Sequence, residues 1–220
     1  MATLPQTVTA LESVAGRDHA TLTQYGRIIR EAGLLPRGKR GGGAPQMTAD
    51  NLAVLMLGIY FADAPKDAGA TARRLGAYRR RMDDSRNDFP PVFHRIGACE
   101  TLEEALSAAI AGVPELMQAF EAYIDAAYEG AEPTATNALK ADLARGGETV
   151  IQFAVTIGGA FAEMECKAYG KVQWNAGFAM NTTNWAAGEY GFATSDRRVS
   201  TSFGLRSLQV AYQCSEGEAS

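Results

Sequence analysis

The side chains that most often perform catalysis or bind metals are few in this sequence. It has two histidines, His19 and His94, and three cysteines, and their spacing matches neither a zinc site nor a nucleophile motif. Glu163 and Glu165 alternate along a predicted strand and therefore face one side, as a paired-carboxylate site requires. Alternating charges of this kind more often mark a solvated strand face. We therefore predict that the chain is not an enzyme and uses no metal or cofactor.

A second group of polar side chains lies on one side of a helical pattern over residues 19–33. They are Thr21, Thr23, Gln24, Arg27 and Arg30, all away from the apolar stripe. Side chains of these types hydrogen-bond to base edges and to phosphates. The alternative is that they simply solvate an amphipathic helix, as most polar helix faces do.

Three cations follow in the glycine-rich segment 37–43, namely Arg37, Lys39 and Arg40. So many glycines prevent a regular element, so we predict a flexible basic loop. Cations on such a loop can settle against phosphates or enter a minor groove, in the manner of a wing. The pattern of a nucleotide-binding phosphate loop is missing from this segment.

A helix predicted over residues 67–82 carries further arginines on its outward side. They are Arg73, Arg74, Arg79, Arg80 and Arg81. Such a helix could clamp a duplex backbone, although a solvated face or pairing with the acidic half of a neighbouring subunit explains it nearly as well.

Apolar spacing and capping residues predict the elements that hold these groups. Helices are expected over residues 7–15 and 19–33, joined by a short turn at 16–18, and a third helix begins after the N-cap Thr48. Two helices joined in this way have the proportions of a helix-turn-helix. The two prolines at 90 and 91 then indicate a boundary.

The second half changes from helices to strands. A capping box at Thr101 and Glu104 predicts a helix over 102–111, and helices over 114–128 and 136–144 follow. Strands are predicted over 150–157, 160–168 and 171–180, with one or two more over 199–213. The expected fold is α+β: an N-terminal winged helix-turn-helix module, then helices, then a C-terminal antiparallel β-meander.

Aromatic residues are dense in this C-terminal region. This density could provide a stacking surface for bases, but we favour a core or a protein interface because this half is acidic. The residues are Phe161, Tyr169, Trp174, Phe178, Trp185, Tyr190 and Phe192.

Charge divides the chain in the same way. Residues 1–81 hold 12 Lys/Arg against 6 Asp/Glu, a net charge of +6, whereas residues 82–220 hold 9 against 19, a net charge of −10. We predict a basic helical DNA-binding domain at 1–88 and an acidic α+β domain at 89–220, with helices at about 101–144 and strands at about 148–213. No apolar run is long enough to cross a bilayer, and a signal core is missing, so we expect a cytoplasmic protein without a membrane partner.

The stretch 11–59 resembles winged helix-turn-helix DNA-binding proteins of alphaproteobacterial prophages and gene transfer agents. The resemblance lies in the helix pair, the sequence Arg30-Glu31-Ala32-Gly33-Leu34 and the basic glycine loop. It implies that Thr21, Thr23, Gln24 and Arg27 occupy the recognition helix, with Arg37, Lys39 and Arg40 in the wing.

Proteins of this type are transcription regulators or small terminase subunits, which recognise packaging-site DNA. Small terminase subunits are mainly helical rings, so the long β region here favours a regulator. A virion or assembly protein that binds nucleic acid without sequence preference is the third possibility. The expected partners are double-stranded DNA and further copies of the chain, with RNA polymerase or a packaging motor as candidates for the acidic half.

Overall fold

The computed structural model describes residues 2–38, 43–83, 89–158, 161–169, 171–180 and 201–217. These ranges form an α+β fold in which helices dominate the N-terminal part and strands the C-terminal part, as predicted. The helices are α1 (Leu4–Ala15), α2 (His19–Glu31), α3 (Ala49–Phe61), α4 (Ala68–Gly76), α5 (Pro91–Ala98), α6 (Leu102–Ala111), α7 (Val113–Ala127), α8 (Pro133–Ala144) and α9 (Leu205–Glu216). The strands are β1 (Arg79–Asp83), β2 (Ile151–Gly158), β3 (Phe161–Ala168), β4 (Lys171–Ala179) and β5 (Thr201–Gly204).

The five strands form one antiparallel sheet in the order β1-β4-β3-β2-β5. The predicted meander supplies its centre, because β2 pairs with β3 and β3 with β4 along most of their lengths. Buried and more exposed residues alternate along β2 and β3, so one face of the sheet packs against helices. Glu163 and Glu165 lie on the other face, as predicted. The Glu163 carboxylate accepts a hydrogen bond from Asn175, and Glu165 pairs with Lys167.

The prediction of one helix over 67–82 is wrong at its C-terminal end. Helix α4 ends at Gly76, and the following arginines lie in β1, which pairs with β4 at the edge of the sheet. Main-chain contacts explain the change: Leu102 N donates to Tyr78 O at 3.0 Å, and Arg80 N donates to Glu100 O at 2.9 Å. These partners lie far along the chain, and they favour an extended backbone over another helical turn.

The prediction of final strands over 199–213 is also wrong beyond residue 204. The chain forms the short strand β5 and then α9, which is followed by the C-cap Gly217 in the left-handed conformation with φ 88°. Leu205, Leu208, Ala211 and Cys214 are buried at three-residue steps. This spacing is helical, and α9 packs centrally against α1, α3 and α6.

The helices cover the buried sheet face through large side chains. Tyr60 and Phe61 at the end of α3 contact Phe203 in β5, with ring centroids 4.7 and 5.7 Å apart. The Tyr60 hydroxyl also forms a 2.8 Å hydrogen bond with the Ser207 hydroxyl in α9. Among the residues that the structure describes, no helix is both long and apolar enough to span a membrane.

One cluster of buried side chains extends across the predicted boundary at residue 88. It includes Leu11 and Leu52 from the basic part together with Leu106 and Leu208 from the acidic part. The division into two domains stays a prediction. Helix α5, which sequence reasoning did not predict, begins at Pro91, because proline suits the first turn of a helix.

Candidate nucleic-acid interface

Helix α2 begins with a well-formed cap. Asp18 accepts a hydrogen bond from Thr21 N at 2.9 Å and another from the Thr21 hydroxyl at 2.7 Å. The Thr21 N–H is the main reason that the pKa of Asp18 lies below its ordinary value. Thr21 is half-buried and uses its hydroxyl in the cap, so it is less available to an external partner than the other predicted residues.

The buried side of α2 is held against the end of α3. Tyr25 is fully buried, and its hydroxyl donates to Ala62 O at 2.9 Å. The guanidinium of Arg17, in the turn before α2, lies 4.9 Å from the centre of the Tyr25 ring. Leu22 and Ile29 complete the apolar stripe and are also fully buried. These contacts fix the direction in which the polar side of α2 faces.

That polar side is exposed along the helix. Thr23, Gln24, Arg27 and Arg30 all face solvent, at the spacing of one helical face. Arg27 pairs with Glu31 at 3.5 Å, but both side chains are more than half exposed, so this ion pair is weak. The structure therefore brings four of the predicted residues together on one accessible surface.

Two further arginines lie at the C-terminus of α2. Arg37 donates to Glu31 O at 3.3 Å, and Arg73 of α4 donates to Ala32 O at 2.8 Å. Cations are favourable at this end of a helix, where carbonyl groups lack intrahelical partners. We call Arg27, Arg30, Arg37 and Arg73 the α2 arginine cluster.

The segment that follows α2 is anchored at both ends. Leu35 and Met47 are buried, Thr3 pairs with Gln46, and Met47 N donates to Ala2 O at 2.8 Å. Arg30 and Arg37 line a cleft of about 600 Å³ between this segment and the start of α1. The predicted wing residues Lys39 and Arg40 lie outside the described residues.

The remaining arginines are placed differently. Arg74 is exposed on α4, on the same helix as Arg73. Arg79 pairs with Glu100 at 3.0 Å, and the Arg80 guanidinium donates to Gly97 O at 2.8 Å, so both are engaged beside the sheet edge. The predicted continuous arginine face over 73–81 is therefore wrong, because only Arg73 and Arg74 lie on the helix.

Sequence reasoning missed the contact between α4 and α2. A Cβ on Gly69 would lie 2.7 Å from the Ala32 Cβ, so the glycine allows the two helices to approach closely. This approach lets Arg73 reach the end of α2. The run of small residues at 68–70 is the signal that could have indicated it.

The chemistry available here is that of polyanion recognition. In the α2 arginine cluster, Arg27 pairs with the Glu31 carboxylate, while Arg37 and Arg73 donate to main-chain carbonyl groups. A guanidinium has five N–H donors, so donors remain for an external anion. In the part of the chain that is described, no three His, Cys, Asp or Glu side chains group as metal ligands. Comparisons of the chain with protein-family models, with curated proteins and with solved structures find no match.

Proposed function

We propose that this protein binds double-stranded DNA with sequence preference and acts as a transcription regulator of the phage or gene-transfer-agent type. The contact surface is the exposed face of α2 together with the α2 arginine cluster. The observation that carries the proposal is the arrangement of Gln24, Arg27 and Arg30 on one exposed helical face, with Arg37 and Arg73 at its end. Glutamine and arginine are residues that read bases and phosphates in a major groove.

Each part of the surface would have a distinct task. Thr23 and Gln24 lie in the first half of α2, the part of a recognition helix that contacts base edges. The α2 arginine cluster would neutralise phosphates. The acidic half would stay away from the duplex and contact a protein partner or further copies of the chain.

The test is selection from a random-sequence duplex library at about 150 mM salt, where sequence-independent binding is weakened. We expect the wild-type protein to enrich a motif. Gln24→Ala should weaken binding to that motif by about tenfold, because a good side-chain pair with a base is worth about 1–3 kcal/mol. Failure to enrich any motif would refute sequence-specific binding.

The matched control is Gln118→Ala, the same substitution at an exposed position of α7 in the acidic half. It should leave binding unchanged. If the two variants bind alike, α2 is not the reading surface. Mass in solution separates the two classes of DNA-binding protein: a dimer fits a regulator, whereas a ring of about eight or more subunits would favour a small terminase subunit.

A further inference from the structure

A cavity of about 200 Å³ lies between α5, α7 and the buried face of the sheet. Phe93 and Phe120 form its helical wall, and Cys166 and Trp174 form its strand wall. None of the described residues that line it carries a charged side chain. Burial raises the pKa of the Cys166 thiol to about 12, so this group is also neutral at physiological pH.

The Trp174 side chain is fully buried in this wall and held by other rings. The ring centroid of Phe93 lies 5.1 Å from that of Trp174. The Phe153 ring stacks on the Trp174 ring, with a centroid distance of 6.4 Å and an interplanar angle of 15°. Its Nε1–H finds no hydrogen-bond acceptor among the described residues. A buried donor without an acceptor is costly and rare in folded proteins, and indole can only donate.

The mouth of the cavity is also aromatic. Tyr123 lines the cavity and is 37% exposed. Its ring centroid lies 6.4 Å from that of Tyr169, which in turn lies 6.3 Å from that of Tyr128. Aromatic side chains therefore line the cavity from its mouth to its interior, and a planar ring of a ligand can pack against them along this path.

We propose that this cavity binds a neutral, single-ring aromatic molecule whose hydrogen-bond acceptor receives the Trp174 Nε1–H. The volume suits one substituted ring, since apolar cavities of about 150 Å³ take up benzene. A charged ligand would lose its hydration without gaining a partner ion, and a ligand without an acceptor would leave the indole N–H unpaired. Binding of such a molecule would not require DNA.

Acetophenone and ethylbenzene are suitable probes, because they differ mainly in the carbonyl oxygen. In calorimetric titrations, the wild-type protein should bind acetophenone about tenfold more tightly than ethylbenzene, since the carbonyl satisfies the buried donor. Trp174→Phe keeps an aromatic wall and removes the donor, so it should bind the two probes within about twofold of each other. Equal binding of both probes by the wild type, or binding of neither, would overturn the proposal.

A second pair of variants tests the location without changing Trp174. Ala119 lines the cavity from α7, whereas Ala122 is exposed on the same helix. Ala119→Leu should fill the cavity and weaken acetophenone binding by at least about tenfold, and Ala122→Leu should bind like the wild type. These variants decide the question even if Trp174→Phe does not fold. Unchanged binding by Ala119→Leu would show that acetophenone binds elsewhere and would refute the assignment.

Discussion

Replacing Arg27 and Arg30 with glutamine should make duplex binding less sensitive to salt. The Arg27 side chain is 57% exposed, and its 3.5 Å pair with Glu31 is easily exchanged for a phosphate. Arg30 is exposed one helical turn further along the same face. If each guanidinium neutralises one phosphate, binding releases the counterions that were condensed on that phosphate. The double variant releases fewer counterions, so its affinity depends less on salt.

The magnitude follows from the number of contacts. Log K falls as log salt rises, and each phosphate contact makes this slope steeper by about 0.9. The double variant should therefore have a slope that is shallower by about 1.8. Between about 50 and about 200 mM salt, wild-type affinity should therefore fall about 12-fold more than that of the variant. Fluorescence anisotropy with a labelled duplex of about 20–30 base pairs, at four salt concentrations, measures both slopes.

The matched control changes two exposed arginines of the acidic half, Arg145→Gln with Arg206→Gln. Arg145 directly follows α8, and Arg206 lies in α9. The two substitutions together remove the same formal charge as the Arg27 and Arg30 double variant. The control should keep the wild-type slope, because local contacts with phosphate and not total charge determine it. Equal slopes for the two double variants would refute the assignment of α2 to the duplex backbone.

Three further predictions concern stability, each measured by urea unfolding. Gly69→Ala should destabilise by about 1–3 kcal/mol, because its Cβ would lie 2.7 Å from the Ala32 Cβ; a gain would show that α2 and α4 can separate freely. Leu208→Ala should lower the free energy of unfolding by about 2–5 kcal/mol, because Leu208 is fully buried in a core helix. A loss smaller than about 0.5 kcal/mol would contradict that placement. Burial, with smaller contributions from the carboxylates of Asp50 and Glu104, raises the pKa of Glu103, so its ionisation destabilises the folded state as pH rises through that pKa. Glu103→Gln should therefore raise the free energy of unfolding relative to wild type at a pH of about 7. At a pH of about 4, below the ordinary pKa of glutamate, it should not do so. An equal effect at both pH values would contradict this reasoning.

Local signals predicted the elements whose stabilising contacts are local. The capping box at Thr101 and Glu104 forms as expected, with Glu104 N donating to the Thr101 hydroxyl at 3.2 Å, and α6 begins there. Asp18 likewise caps α2. In both cases the donor and acceptor lie within one helical turn, so the residue pattern alone contains the information.

The misassigned elements depend on partners far along the chain. The apolar spacing over 67–82 favours a helix, but pairing with β4 and hydrogen bonds from Leu102 and to Glu100 select the strand. The position of Arg73 at the end of α2 depends on the close packing at Gly69 in the same way. For α9 the signal was present, since Leu205, Leu208, Ala211 and Cys214 recur at helical spacing. The β-branched and aromatic residues before them favoured the wrong assignment.

The contact between Ala2 and Cys214, near the two ends of the described residues, has a consequence for biosynthesis. Ala2 N donates to Cys214 O at 2.6 Å, and α1 packs against α9. During translation α1 and α3 leave the ribosome long before α9, which packs against both of them. Such distant pairings form late and slowly, and uncovered apolar surface invites association meanwhile. A nascent chain should therefore complete the packing of α1 and α3, the helices that support α2, only after residues 205–216 have been released.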